Sequence, residues 1–457
     1  MKTEDLATLP IEVLAPRLRK REFSVTELFD SVMARIARFD PSLRAYREIA
    51  QSARTVAQDL DREFLAGGCR GPLHGIPIAV KDNYLTADMP TRLGVDLPIE
   101  TFPCRDAEVV SRLRKAGAII IGKTQMHGFA WGVETPLARN PWNLDCVSGG
   151  SSGGSAVAAA AALCSAALGT DTGGSVRIPA SLCGCVGMKP TAGLVSKDGI
   201  VTHSWSLDVA GSLSRTVGDA AIILEALTGQ CRIEGATAPT DKFRIGYCPA
   251  HFFDRNALEV QNIVNVAIDY LANRHGDVIE IELPHLKYGL GSILAIELVS
   301  CNAGHAELLY RGLQDQLPTD VRDMLELGAF VSGADYLRAE QVRRLIMEDF
   351  KSAFEQVDVV VSPTVPMVAW PVGQTSVRIS EEKSHDTESI LSAAWRLTYP
   401  FNLAGLPAIT IPCGFDAQAL PIGLQFAAKP FAEQTLLTVA QDYERAHGWS
   451  DCQPRLL

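Results

Sequence analysis

The stretch GGSSGGSAVAAAAAL, from Gly149 to Leu163, decides the fold of this chain. Its glycine- and serine-rich start resembles a flexible linker between two domains. A linker, however, would not lead straight into a run of alanines, the residue with the highest helix propensity. Glycines followed at once by a helix indicate close backbone approach and free amide groups at the helix N-terminus. We therefore interpret this stretch as the lining of a functional site.

The composition narrows the class of protein. The chain has 457 residues, of which 47% are apolar and 21% are charged, as in soluble proteins with a substantial core. Its net charge of −11 argues against a nucleic-acid partner, which would require a basic surface. The longest run of small apolar residues, 156–168, is too short to span a membrane. Because the eleven cysteines follow no framework spacing, we expect a cytoplasmic protein with reduced thiols and no metal site.

Helical and strand signals alternate along the chain. A capping box at Ser24 and Glu27 precedes apolar residues at helical spacing, which predicts an N-terminal helical segment over about residues 1–65. The apolar run GIPIAVK predicts a buried strand that ends at Lys81. The alternation predicts an α/β fold with a mixed sheet covered by helices. Because no linker interrupts it, we expect residues 1–457 to form a single domain.

Two short motifs match known catalytic patterns, but neither fits its surroundings. Residues 117–124, GAIIIGKT, match the phosphate-binding P-loop, yet the three isoleucines favour a buried strand over a phosphate-facing turn. Residues 149–153, GGSSG, match the nucleophile elbow of α/β-hydrolases, which needs a strand directly before its serine. The residues before it include Pro141 and Asn143 and indicate a loop. We therefore expect neither a nucleotide site nor a hydrolase elbow.

A second glycine-rich run, GTDTGGS, occupies Gly169 to Ser175. Its glycines leave backbone amides free to face developing negative charge, as an oxyanion hole requires. A nucleophilic serine needs a base, and no histidine accompanies Ser175. A neutral lysine is the alternative base, as in Ser–Lys variants of the triad. Lys81, at the end of an apolar strand, is the candidate, although a lysine at a strand end can also point to water.

Several longer motifs resemble those of the amidase signature family of amide hydrolases. They are GIPIAVKD (75–82), GGSSGGSAVAAAAAL (149–163), GTDTGGSVRIPASLCGCVGMKPT (169–191) and YPFNLAGLPAITIPCGF (399–415). The resemblance extends from about Ser24 to the C-terminus and implies one amidase domain whose sheet is covered on both faces by helices. It also implies a Ser–Ser–Lys triad. In that triad, Ser175 is the nucleophile, Ser151 is the bridging serine that follows a cis peptide, and Lys81 is the general base.

The resemblance further implies how the reaction is supported. The backbone amides of Thr172, Gly173, Gly174 and Ser175 match the oxyanion donors of the family. The implied chemistry is acyl transfer through an acyl-enzyme, without a cofactor or a metal ion.

Loops outside these motifs are expected to set the substrate. Arg92, His127, Trp131 and Arg139 lie in sequence near the motifs, and we expect some of them to contact the substrate. Aromatic packing beneath the loop explains Trp131 equally well. The core motifs themselves do not identify the amide.

Three functions fit these residues. The first is a hydrolase of a small linear amide, with the length of the family's subunit for biuret or 1-carboxybiuret in cyanuric acid degradation. The second is the A subunit of a glutamine-dependent tRNA amidotransferase, whose members usually carry DEFAMGS-like residues where this chain has HGFAWGV. The third is a catalytically silent assembly subunit. We expect the first, with a small-molecule amide as substrate, no nucleic-acid or membrane partner, and a homodimer with or without a small accessory protein subunit.

Overall fold

Alternating strands and helices build the fold. The computed structural model describes residues 5–98, 101–229, 242–379, 387–449 and 452–454. The strands in these ranges are β1 (Tyr46–Ile49), β2 (Pro77–Lys81), β3 (Ile119–Thr124), β4 (Ala166–Asp171), β5 (Val186–Lys189), β6 (Val209–Ser214), β7 (Ile245–Tyr247), β8 (Ile279–Glu280), β9 (Val359–Pro363), β10 (Ser376–Val377), β11 (Glu388–Ser389), β12 (Ala408–Phe415) and β13 (Pro421–Ala428). All but β10 and β11 form one mixed sheet in the order β1–β3–β2–β4–β6–β5–β12–β13–β9–β7–β8.

Helices flank this sheet. They are α1 (Ile11–Arg19), α2 (Val25–Leu43), α3 (Ala53–Leu65), α4 (Glu108–Lys115), α5 (Gly153–Ala160), α6 (Arg177–Cys183), α7 (Val217–Thr228), α8 (Leu258–His275), α9 (Gly289–Gly304), α10 (Ala306–Tyr310), α11 (Thr319–Leu327), α12 (Gly333–Gln356), α13 (Ile390–Trp395), α14 (Tyr399–Leu403) and α15 (Glu433–His447). Two large apolar clusters lie between helices and sheet. The prediction of an α/β fold with a mixed sheet covered by helices is confirmed. Among the described residues, none of the helices has the length and hydropathy needed to cross a membrane.

A capping box precedes the longest helix of the N-terminal segment. The Ser24 hydroxyl accepts a hydrogen bond from the Glu27 N–H at 3.1 Å, and the Glu27 carboxylate accepts one from the Ser24 N–H at 2.7 Å. This capping box starts α2, whose apolar face is buried. The segment up to residue 65 contains α1, α2 and α3 together with β1, which pairs antiparallel with β3.

Three neighbouring parallel strands position the site. Strand β2 lies between β3 and β4 and runs parallel to both. Every residue of the three strands is buried, including the polar residues at their C-terminal ends. The P-loop-like residues 119–121 therefore lie in a buried strand. Because parallel strands end at the same edge of a sheet, Lys81 at the end of β2 comes close to Thr170 and Asp171 at the end of β4.

The glycine- and serine-rich stretch is core rather than linker. Residues 153–159 of α5 are all buried, and the helix packs against β4 and α6. The close approach requires glycine, because a Cβ on Gly154 would lie 2.5 Å from the carbonyl oxygen of Ala45. This glycine- and serine-rich stretch therefore lies inside the protein, as its sequence indicates.

A buried ion pair fixes the turn that follows β4. Arg177, the first residue of α6, lies 2.9 Å from the Asp171 carboxylate, and both side chains are fully buried. The guanidinium also donates to the side-chain oxygens of Gln425 and Asn402, each at 2.6 Å. Burial alone would raise the pKa of Asp171, but the charge and hydrogen bonds of Arg177 outweigh it and lower this pKa to about 2. The Asp171–Arg177 ion pair therefore fixes both ends of the turn formed by residues 172–176.

We expect Asp171→Asn to lower the free energy of unfolding by about 3–5 kcal/mol, because Arg177 would be left buried without its counter-charge. Denaturant unfolding followed by circular dichroism measures the loss. Asp198→Asn is the matched control, since it breaks an exposed pair with Arg105 at 2.9 Å and should cost less than about 1 kcal/mol. Similar unfolding midpoints for the two variants would contradict this account of the turn.

Candidate active site

Lys81 is buried among hydroxyl groups at the end of β2. Its Nζ lies 2.9 Å from the Ser151 Oγ and 2.9 Å from the Thr170 Oγ1, and the residue has no exposed surface. The lysine therefore does not point to water. Burial lowers the pKa of Lys81 to about 7, although the charges of Asp208 and Asp171 act in the opposite direction. A neutral amine, the form that can accept a proton, is thus accessible near neutral pH.

Ser151 is held by its backbone as well as by Lys81. The Gly150–Ser151 peptide bond is cis. The Ser151 carbonyl accepts hydrogen bonds from the His127 N–H at 3.1 Å and from the Thr135 hydroxyl at 3.3 Å. Next to it, the Ser152 N–H donates to the Ser175 carbonyl at 3.1 Å. The backbone thus joins the strip that carries Ser151 to the turn that carries Ser175.

Side chains from distant parts of the chain hold the turn at residues 172–175. The Thr172 hydroxyl donates to Asp208 at 2.6 Å, and the Gly173 carbonyl accepts from the Thr398 hydroxyl at 2.6 Å. Gly174 has a φ of +140°, a conformation that favours glycine. Within the described residues, the N–H groups of Gly173, Gly174 and Ser175 donate to no protein acceptor. They are therefore free to bind an oxyanion.

Ser175 opens onto a small pocket with mostly apolar walls. Two indoles, Trp131 and Trp395, and the side chains of Ile178 and Leu391 form much of the lining. Gly173 lets Trp395 approach closely, because a Cβ at this position would overlap the indole nitrogen. Among the described lining residues, one carries a charge, Glu297 of α9. The pocket therefore suits an acyl group with little negative charge.

Of the four residues predicted to contact substrate, the structure brings Trp131 to this pocket. Arg92 extends instead toward Glu48, with Nη1 and Oε2 3.4 Å apart. The His127 ring lies 3.0 Å from Asp320. Arg139 donates to the Pro136 carbonyl at 2.8 Å. These partners draw the three polar side chains away from the pocket, and none of the three is among its described lining residues.

Several residues of the site carried no local signal in the sequence. Thr170 contacts Lys81 because β4 runs parallel to β2. Asp208 accepts hydrogen bonds from the backbone N–H groups of His203 and Ser204 as well as from Thr172. Trp395 and Glu297 lie more than a hundred residues from Ser175 in sequence. The tertiary fold brings them together, and no spacing rule could have found them.

The described part of the chain offers little to a metal ion. It contains no group of three or more His, Cys, Asp or Glu side chains arranged to bind one. Cys183 and Cys185, the most closely spaced cysteines, are both buried, and burial raises the pKa of each thiol. A raised pKa disfavours the thiolate form that binds metals.

Comparisons with known proteins identify the family of the chain. The family model for amidases matches residues 27–437. The A subunit of glutamyl-tRNA(Gln) amidotransferase from Roseiflexus sp. (strain RS-1) is 39% identical, with 96% of each chain aligned. The A subunit of the same name from Thermosynechococcus vestitus is 37% identical over 98% of this chain and 99% of its own.

Solved structures show the same fold. A crystal structure of an amidase superposes with a TM-score of 0.89 at 31% identity, covering 96% of this chain and 100% of that one. A protein complex linked to the origins of an s-triazine catabolic enzyme gives 0.88 at 27% identity, covering 96% and 99%. The A subunit of the Thermotoga maritima glutamyl-tRNA(Gln) amidotransferase gives 0.81 at 29% identity over 100% of both chains.

These relatives correct one prediction. The expectation that the partners are a small-molecule amide and a second copy of the chain, without a nucleic acid, is wrong, because relatives matched over nearly the whole length are A subunits of a glutamyl-tRNA(Gln) amidotransferase. Net charge describes a single chain and therefore does not exclude a nucleic-acid partner. The family itself is shown by the match over residues 27–437 and by the shared fold. The chain belongs to the amidase family and is an enzyme that acts on amide C–N bonds.

Proposed function

We propose that this chain cleaves a carboxamide by acyl transfer, with Ser175 as nucleophile, Ser151 as proton relay and Lys81 as base. One observation carries the proposal: the Lys81 Nζ lies 2.9 Å from the Ser151 Oγ in a fully buried setting. Burial lowers the pKa of this amine to about 7, near the value that suits a general base. The same contact argues against a catalytically silent assembly subunit.

The proposed reaction proceeds in two halves. The Ser175 Oγ attacks the amide carbon while its proton passes to Ser151, whose own proton passes to Lys81. The oxyanion is stabilised by the N–H groups of Thr172, Gly173, Gly174 and Ser175, and the Thr172 hydroxyl holds their turn through Asp208. The proton then returns along the same path to the departing nitrogen, which leaves as an amine or ammonia. Water attacks the acyl-enzyme with the same base, and the acid product is released.

We propose glutamine as the carboxamide, with the chain acting as the A subunit of a tRNA-dependent amidotransferase. The support is the identity of 37–39% with such subunits over 96–98% of this chain. In this role the ammonia released from glutamine is used by the partner subunits to amidate glutamyl-tRNA(Gln). The HGFAWGV segment differs from the DEFAMGS-like residues usual in that group. Trp131 of this segment lines the pocket, so the difference bears on substrate fit.

A second candidate is a urea-like amide such as biuret or 1-carboxybiuret. It is favoured by the TM-score of 0.88 with the complex related to an s-triazine catabolic enzyme. The pocket argues against the carboxylated form, because an anionic substrate would require a cation. Among the described lining residues there is no Lys, Arg or His, and the charged one is Glu297. Glutamine also has a carboxylate, but its own α-ammonium balances that charge, so 1-carboxybiuret ranks below glutamine.

The base makes a prediction about pH. Because the neutral amine is the active form and burial lowers the pKa of Lys81 to about 7, kcat/KM should rise with pH through about 7 and level off above it. Asp208→Asn removes a negative charge that raises this pKa, so the rise should move to lower pH. Initial rates of ammonia release between pH 5 and 9 give both profiles.

Lys189→Met is the control for this profile. Burial also lowers the pKa of Lys189 to about 7, but its Nζ contacts the Leu406 carbonyl rather than the site. This variant should keep the wild-type profile. Lys81 would be excluded as the source of the increase in kcat/KM with pH by either of two results. The increase would disappear in Lys189→Met, or it would move to higher pH in Asp208→Asn.

The nucleophile can be tested by a matched pair of serine variants. Ser175→Ala should lower kcat by about a thousandfold or more, as loss of a triad nucleophile does. Ser152→Ala is the control, because Ser152 is also buried and donates to the Thr170 carbonyl at 3.2 Å. We expect it to retain activity within about tenfold of the wild type, since its hydroxyl is outside the relay. Equal losses in both variants would contradict the assignment.

The substrate is tested by ammonia release from glutamine, biuret and 1-carboxybiuret under identical conditions. The proposal predicts the highest kcat/KM for glutamine. It also predicts glutamine-dependent amidation of glutamyl-tRNA(Gln) once partner subunits are supplied. Biuret turnover together with inert glutamine would favour the second candidate instead.

A further inference from the structure

A carboxylate without a full set of partners lines the same pocket as the reacting serine. Glu297 is 2% exposed and lines the same pocket as Ser175. One of its oxygens, Oε2, lies 3.4 Å from the His203 Nε2. The other, Oε1, is buried and has no hydrogen-bond partner among the described residues. A buried carboxylate oxygen left unpaired costs free energy, so a donor from outside the protein is expected to occupy it.

His203 is oriented so that it cannot supply that donor. Its Nδ1 donates to the Phe129 carbonyl at 3.1 Å, which leaves Nε2 to face Glu297. Burial alone would lower the pKa of His203, but Cys301 and Glu297 raise it well above its usual value. His203 Nε2 thus faces Oε2 and leaves Oε1 as a free acceptor. Burial raises the pKa of Glu297 most, and the negative charges of Asp208 and Asp171 raise it further. These two carboxylates therefore add negative charge near the pocket.

We propose that Glu297 selects substrates whose acyl chain carries an ammonium group, which donates a hydrogen bond to its free carboxylate oxygen. This inference rests on the proposed amide hydrolysis at Ser175 and names the chemical group that the pocket recognises. Glutamine fits it through its α-ammonium, and so does any short carboxamide with an amine on its acyl chain. A charge-assisted bond of this kind is stronger than one between neutral groups.

The indoles of the pocket support a cation rather than a neutral donor. The ring centroids of Trp131 and Trp395 lie 6.3 Å apart with an interplanar angle of 80°. Both line the pocket together with Glu297. An ammonium held between an aromatic face and a carboxylate gains from both, because the faces of indole rings carry partial negative charge. Among the described lining residues there is no Lys, Arg or His, and the nearby His203 faces the other oxygen of Glu297, Oε2.

The experiment compares amides that differ by one ammonium group. The pairs are glutamine with 4-carbamoylbutanoate and 5-aminopentanamide with pentanamide. For the wild type we expect kcat/KM to be about 10- to 100-fold higher for the ammonium-bearing member of each pair, the range that loss of a charge-assisted hydrogen bond predicts. In Glu297→Gln the ratio should fall to near one, because kcat/KM for the ammonium-bearing member of each pair falls more than kcat/KM for the other member.

Glu433→Gln is the matched control. Glu433 is a buried carboxylate outside the pocket that accepts a hydrogen bond from the Thr191 N–H at 2.8 Å. This variant should keep the wild-type ratio. If Glu297→Gln does not fold by circular dichroism and gel filtration, Glu297→Asp takes its place, since it retracts the carboxylate by one methylene and should reduce the ratio.

The outcomes separate this inference from the proposed function. A Glu297-dependent preference for 5-aminopentanamide with inert glutamine would keep the inference and overturn glutamine as the substrate. Equal rates within each pair for the wild type, or a ratio unchanged by the Glu297 variants, would overturn the inference and leave amide hydrolysis intact. If none of the four amides is hydrolysed, both the inference and the glutamine proposal fail.

Discussion

The site depends on the removal of one amine from water. Lys81 is enclosed at the end of β2, and its nearest polar atoms are the hydroxyls of Ser151 and Thr170 rather than a carboxylate. A change in lysine pKa from 10.5 to about 7 corresponds to roughly 5 kcal/mol at neutral pH and below. The shift lowers the free energy of unfolding, because the unfolded chain binds this proton more tightly. The penalty shrinks, and the free energy of unfolding rises, between about pH 7 and 10.5. The protein tolerates that cost and keeps a base without a histidine.

Other interactions keep the remaining groups of the site near that amine. The Asp171–Arg177 pair fixes the ends of the turn that carries Ser175, and Asp208 holds Thr172 from the neighbouring loop. Each carboxylate also opposes the effect of burial on the pKa of Lys81. Asp171 and Asp208 therefore set both the geometry of the turn and the proton affinity of Lys81. This shared role explains why an acidic pair lies so close to a site that needs a neutral lysine.

Much of the architecture could be read from the sequence. Glycine and serine followed by alanine predict a tightly packed strip, and the isoleucines at 119–121 predict a buried strand in place of a phosphate loop. The proposed triad residues could be named because each lies within a motif. The pocket could not be predicted in the same way. Trp395 and Glu297 reach it from α13 and α9, whereas Arg92, His127 and Arg139 are close in sequence but find partners elsewhere. Side-chain direction in loops depends on tertiary partners that local spacing does not encode.

The protonation state of Lys81 is the most direct test of this account. Protein labelled with 13C at the lysine Cε positions can be titrated by NMR, with the Lys81 signal identified by its absence in Lys81→Arg. Lys123 and Lys189 are also buried, and their signals can be assigned in the same way. We predict that the Lys81 signal titrates with a midpoint near pH 7. A midpoint near pH 10.5, the value of a solvent-exposed lysine, would contradict the proposed base and the proton path built on it.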